Sequence, residues 1–252
     1  MPREAFLNKY PSRLADTLAQ GPQPQVANRS GDVTSPPRLV RETALEDVRQ
    51  AIGTGALKPG SRLTEKSICE RFGVSRTLAR EIVRKLETER LIDVIPHRGL
   101  RIAVLTPPLI QEIYAIRAEL EVMVVRAFIA MAKQEDVAAL IAIHATLLTA
   151  ANNRDVRDIV TQVTRFLRHL IDVSASKVAG EVLDNLLARI NMLRFYAMSA
   201  PGQLETSVVL LEKIVDSIVQ RDSSAAESAV RLYVQTACRA ALLQVTSTVV
   251  KP

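Results

Sequence analysis

Tryptophan is absent from this chain, and aromatic residues make up only 4% of its 252 positions. Any core must therefore be assembled from Leu, Ile, Val and Ala, which a hydrophobic content of 48% readily supplies. Cysteine is nearly absent too. Cys69 and Cys238 are the two present, far apart and without metal-type spacing. That excludes a disulfide framework and fits a reducing cytoplasm. Histidine is limited to His97, His144 and His169, too few and too scattered for a three-histidine metal site. No apolar run reaches the length of a membrane span, and the first thirty residues lack a signal-peptide core. Nor is there a glycine-rich phosphate loop or a nucleophile with a placed base. The expectation is a soluble cytoplasmic protein without membrane contact and without enzymatic activity.

What the chain does have is positive charge, unevenly placed. The net charge is +6. Residues Arg38–Leu105 hold fourteen Lys and Arg against nine Asp and Glu, whereas Thr106–Pro252 holds fifteen of each. A basic module joined to a neutral one suggests a polyanion-binding domain with a partner of another purpose.

Punctuation along the chain divides it into three. Residues 1–37 read as a flexible N-terminal extension: a short amphipathic stretch over Glu4–Gln20, interrupted by Pro11, and then the linker "GPQPQVANRSGDVTSPP". Residues 38–105 hold one helix from Leu39 to about Ile52 and the breaker "GTGALKPGSRL". Two further helices are capped by Thr64 and Ser75, the second running to about Arg90. Two β-rich runs, Leu91–Ile95 and Leu100–Val104, follow as a hairpin. Three helices and a hairpin outline a winged helix-turn-helix. Residues 106–248 show no strand signal. Helices are expected near Pro108–Lys133, Glu135–Ala151, Val156–Ser174, Lys177–Ser199, Gln203–Gln220 and Ser223–Ser247. The predicted fold is therefore mainly α, with a winged helix-turn-helix followed by an antiparallel all-helical bundle.

The segment "SICERFGVSRTLAREIVRKL" (Ser67–Leu86) carries the chemistry. Ile68, Phe72, Val74, Ala79 and Ile82 supply packing between two helices, Cys69 is the small contact residue, and Gly73 supplies the turn. With those inward, Arg76, Thr77, Arg80 and Arg84 point outward along one helical face. Arginines near the start of such a helix can grip guanine edges in the major groove, and Thr77 can reach a phosphate or a base edge. Lys66 is placed for backbone phosphate, and Arg98 and Gly99 at the hairpin tip for the minor groove.

The stretch "GALKPGSRLTEKSICERFGVSRTLAREIVRKLETERLIDVIPHRGLRI" resembles the GntR family of bacterial transcription regulators. It has the G-x-L-x-P-G-x-x-L opening from Gly55 to Leu63, the Glu65-Lys66 pair, the run Gly73 to Thr77 with Arg80 and Glu81, and the Arg98-Gly99 wing tip. The resemblance implies that Lys66, Arg76, Thr77, Arg80, Arg98 and Gly99 contact operator DNA.

The second half resembles the helical sensor and dimerisation domain of the FadR-type branch, the FCD domain. "IRAELE", "FLRHLIDVSAS" and "IVDSIVQRDSSAAESAVRLY" carry the likeness. Many such domains hold a divalent metal with one Asp and three His. Here Val163, Leu167, Leu211 and Tyr233 fall at those four positions, and His169 lies about 200° around the helix from position 167. The resemblance thus implies no metal cofactor. It implies either an apolar cavity for a small organic metabolite, with Arg117 and Tyr233 as polar anchors, or a filled cavity in a domain that only dimerises. For Arg117 an interhelical salt bridge is the competing expectation. The function implied is a homodimeric repressor that binds a short palindromic operator and responds to a metabolite. The rival is an architectural DNA binder whose second domain senses nothing.

Overall fold

The computed structural model describes Lys9 and residues 37–95, 99–198 and 202–249. The expected short helix and linker of the extension lie outside the described residues, apart from Lys9. The chain forms two compact units that part between Val104 and Leu105.

The first unit holds α1 (Pro37–Gly53), β1 (Arg62–Leu63), α2 (Glu65–Phe72), α3 (Arg76–Thr88), β2 (Ile92–Ile95) and β3 (Gly99–Ile102). Ala44, Val48 and Ile52, four residues apart, form the buried stripe of α1. They join Ile68, Ala79, Ile82, Val83 and Leu86 in one small core. Arg49 on α1 also reaches Glu89 beyond α3, donating from Nε at 2.9 Å. The three strands order as β1-β3-β2, all antiparallel, with Leu63 opposite Leu100 and Val94 opposite the same Leu100 on the other side. The sequence shows the β2–β3 hairpin but not β1. Two residues are too few to display an alternating pattern, and tertiary pairing alone makes them a strand.

The second unit holds α4 (Pro107–Met131), α5 (Gln134–Asn152), α6 (Val156–Ser174), α7 (Lys177–Met198), α8 (Gln203–Val219) and α9 (Ser223–Val249). These helices match the sequence expectation to within two residues at each end. Prolines at the first turn start α4, and Asp155 caps α6 by accepting from the Asp158 amide at 3.0 Å. Arg221 caps the far end of α4, donating to the carbonyls of Ile129 at 2.8 Å and Ala132 at 2.6 Å. Helix α4 packs chiefly on α9 and α6, while α7 lies against α4, α6, α8 and α9. Gly180 lets α7 approach α6 closely: a Cβ there would stand 2.6 Å from Ile171 Cγ2 on α6. No helix among the described residues is long and apolar enough to cross a membrane.

Candidate nucleic-acid interface and bundle cavity

The helix-turn-helix is locked by local chemistry at both joints. Thr64 and Ser67 form a reciprocal capping box, each side-chain oxygen accepting from the other's amide at 3.0 Å. Gly73 ends α2 in the left-handed region at φ 66°, donating its amide to the Cys69 carbonyl at 3.0 Å. A Cβ at Gly73 would touch nothing, so backbone conformation rather than space calls for glycine. Ser75 then caps α3, accepting from the Leu78 amide at 3.2 Å.

These joints decide which face of α3 meets solvent. Ala79, Ile82, Val83 and Leu86 are buried, and Arg76, Thr77, Arg80 and Arg84 are all exposed. Phe72, Val74 and Cys69 are half-buried rather than fully inward. Arg80 is steered by Glu65, its Nε donating to Oε2 at 3.1 Å, and Glu81 is occupied by Arg41 at 3.1 Å. Among the described residues Arg76 and Arg84 make no ion pair. Lys66 stands out on α2 with its Nζ 3.6 Å from Glu70. Gly99 opens β3 at φ 86°. Arg98 lies outside the described residues.

In the helical unit the five residues Arg117, Val163, Leu167, Leu211 and Tyr233 line one cavity. Helix α6 contributes its apolar wall, and α8 and α9 close the other side. The free space is small: about 20 Å³ is open to the centre of a water molecule. Two further charged residues line it that the sequence reading did not identify, Glu121 and Arg194.

Arg117 is not bridged to another helix, as one expectation had it. Glu121 lies one turn further along the same helix, and Arg117 Nε donates to its Oε1 at 2.6 Å. The spacing of four stacks the two side chains on one face. Its guanidinium also sits 5.3 Å from the ring centres of both Tyr114 and Tyr233. Burial works against this charge, but Glu121 and the two tyrosines outweigh it and hold the guanidinium above its ordinary range. Burial pushes the Tyr114 phenol up to about 12. Arg194 differs. Burial pulls its guanidinium below the ordinary value.

His169 stays out of the cavity. Its Nε2 lies 2.8 Å from the Asp136 carbonyl and its ring packs edge-on against Phe128. His144 is fully buried on α5, and burial, with a smaller effect of Lys9, lowers its imidazole to about 4. No group of three His, Cys, Asp or Glu converges among the described residues.

Comparison with known proteins brings both halves together. Residues 40–102 match the model for bacterial regulatory proteins of the gntR family, and residues 112–236 match the FCD domain. The uncharacterized HTH-type transcriptional regulator YdhC of Bacillus subtilis is 27% identical over 76% of this chain and 86% of its own length. The HTH-type transcriptional regulator McbR of Escherichia coli is 25% identical over 70% of this chain and 80% of its own. The solved structure of E. coli McbR/YncC superposes with a TM-score of 0.70 at 23% identity, covering 78% of this chain and 93% of that one. A GntR regulator from Rhodococcus sp. RHA1 gives 0.69 at 23% identity, over 80% and 97%. With a winged helix-turn-helix ahead of an FCD domain, the chain belongs to the gntR family of bacterial regulatory proteins, on its FadR-type branch.

Proposed function

We propose that this DNA-binding transcriptional regulator acts as a metabolite-responsive repressor that grips a short palindromic operator as a homodimer. The observation that carries the reading is the outward face of α3. Arg76, Thr77, Arg80 and Arg84 share it, behind a turn whose geometry Gly73 fixes. In this reading Arg76 and Arg80 read base edges, and Arg84 and Thr77 meet phosphates or bases. Lys66 touches backbone, and Arg98 and Gly99 carry the wing to the minor groove. The repressor sense is supported by a relative named as such, the HTH-type transcriptional repressor RspR of E. coli, 23% identical over 80% of this chain.

The FCD cavity is the effector site, with Arg117 and Tyr233 as anchors and Val163, Leu167 and Leu211 as apolar wall. The effector is bound without metal. Aliphatic side chains offer no ligand atom, and the one lining carboxylate, Glu121, is already held by Arg117. An effector shifts operator affinity only as far as it favours one arrangement of the two recognition helices, typically by about 1–3 kcal/mol. A second reading, a cavity that is plain core in a domain that only dimerises, is favoured by the small free volume.

The test is gel retardation on the DNA upstream of the protein's own gene, with a scrambled duplex as control. Preference for the upstream fragment, relieved by a small metabolite, supports the reading. Equal binding to both fragments, governed by salt alone, sinks it in favour of an architectural role.

A further inference from the structure

Helix α8 carries a pair of carboxylates that the bundle itself does not balance. Glu212 and Asp216 lie one helical turn apart, a spacing at which like charges repel. Their side chains are only 18% and 26% exposed, so water screens them in part. Asp216 Oδ1 is buried and meets no donor, which leaves Oδ2 to find a counter-charge. Among the described residues no cation of the bundle helices lies within ion-pair distance of either group. The cation comes from the other end of the chain. Lys9 Nζ stands 2.6 Å from Asp216 Oδ2 and 3.4 Å from Glu212 Oε1, across 207 and 203 positions of sequence. Burial works against this ammonium, but the two carboxylates outweigh it and hold it above its ordinary range. A second mark of its place is that Lys9 also lowers the imidazole of His144, buried on α5. Helices α5 and α8 pack together, so the lysine sits beside their seam.

Chain order gives this contact its consequence. The helices and strands of the DNA-reading unit run from Pro37 to Ile102, and the bundle follows directly at Leu105. Residues 10–36 separate Lys9 from Pro37, a stretch that can span at most about 90 Å. With Lys9 seated on α8, the reading unit is joined to the bundle covalently at one end and by ion pairs at the other.

We propose that α8 is the docking face for the chain's own N-terminal extension, fastened by Lys9 on Glu212 and Asp216, so that the DNA-reading unit is strapped to the bundle at both ends. The strap is reversible. An ion pair with an exposed partner is worth at most about 1 kcal/mol and is screened by salt, so ionic strength opens it. The inference goes beyond the proposed function and holds whether or not the bundle senses a metabolite.

A carbodiimide tests the contact in the full-length protein, because it condenses an ammonium and a touching carboxylate into an amide. At about 20 mM salt, peptide mapping of the monomer band should find Lys9 joined to Asp216 or Glu212, and about 0.5 M salt should suppress that product severalfold. Trypsin gives a second readout. Arg13 lies four residues beyond the anchor and Arg29 twenty, so the ratio of cleavage at the two reports docking against an internal control. Lys9→Gln should raise the Arg13-to-Arg29 ratio about fivefold at low salt, and Glu212→Gln with Asp216→Asn should do the same. All three changes together should add nothing further, because they remove one interaction. Lys9→Arg keeps the charge and should keep the protection. The inference is overturned if no cross-link to α8 forms at low salt, or if Lys9→Gln leaves the ratio unmoved. It is overturned equally if the cross-link appears only in a dimer band, which would seat the extension on a second copy.

Discussion

Arginine serves opposite ends in the two units. On α3 it is exposed, set against solvent, and steered at most by a surface carboxylate such as Glu65. In the bundle, Arg117 and Arg194 are withdrawn from water, one paired and one not. Exposed charge costs the fold almost nothing and remains available to a polyanion. Buried charge is expensive, so each such arginine needs a partner, which for Arg117 is Glu121. The difference teaches that charge offered to solvent and charge held in a core are distinguished by burial rather than by residue type.

The contrast can be broken most forcefully at Glu121. Glu121→Ala strands Arg117 in the core and should cost about 3–5 kcal/mol in urea unfolding, whereas Arg117→Met combined with Glu121→Leu should lie near the parent. If the single and double variants unfold alike, the buried pair is not what balances the charge.

A second test uses acid. His144 in the folded protein stays neutral down to about 4, against an ordinary value of 6.5. The unfolded chain therefore binds the proton first as pH falls. Stability is complete above pH 6.5 and is lost progressively down to pH 4, by about 3 kcal/mol from this group. His144→Leu should flatten that part of the pH profile, measured by denaturant midpoints.

On the exposed side, Arg76→Ala and Arg80→Ala should each weaken operator binding by about 1–3 kcal/mol and relax sequence preference. Lys66→Ala should weaken all sequences evenly and lower the salt slope by about one. Equal behaviour of the three variants in salt titrations would refute that division. The smallest effect closes the comparison. Arg80→Ala breaks only a surface ion pair and should change unfolding stability by no more than about 0.5 kcal/mol.

Much of this was legible in the sequence, and the exceptions are instructive. Periodicity and caps gave the helices, because Thr64 and Ser75 act locally and in order. The three outward arginines of α3, Arg76, Arg80 and Arg84, followed from a spacing of four. The resemblance brought five cavity residues from four helices to one place. Strand β1 was hidden, since its two residues become a strand only by lying beside β3. Arg194 was hidden differently: its meaning is the lack of a counter-charge, and that exists only in three dimensions.

Gly180 gives α6 and α7 a fulcrum. Ile171 presses against its bare Cα side, and Arg194 rides fourteen residues further along α7, about 21 Å at the helical rise. Over that lever arm a tilt of roughly 3° carries the guanidinium about 1 Å, the distance separating a hydrogen bond from a mere neighbour. Substituting alanine at this contact would shift α7 against α6 and displace the arginine while leaving every cavity side chain in the sequence untouched.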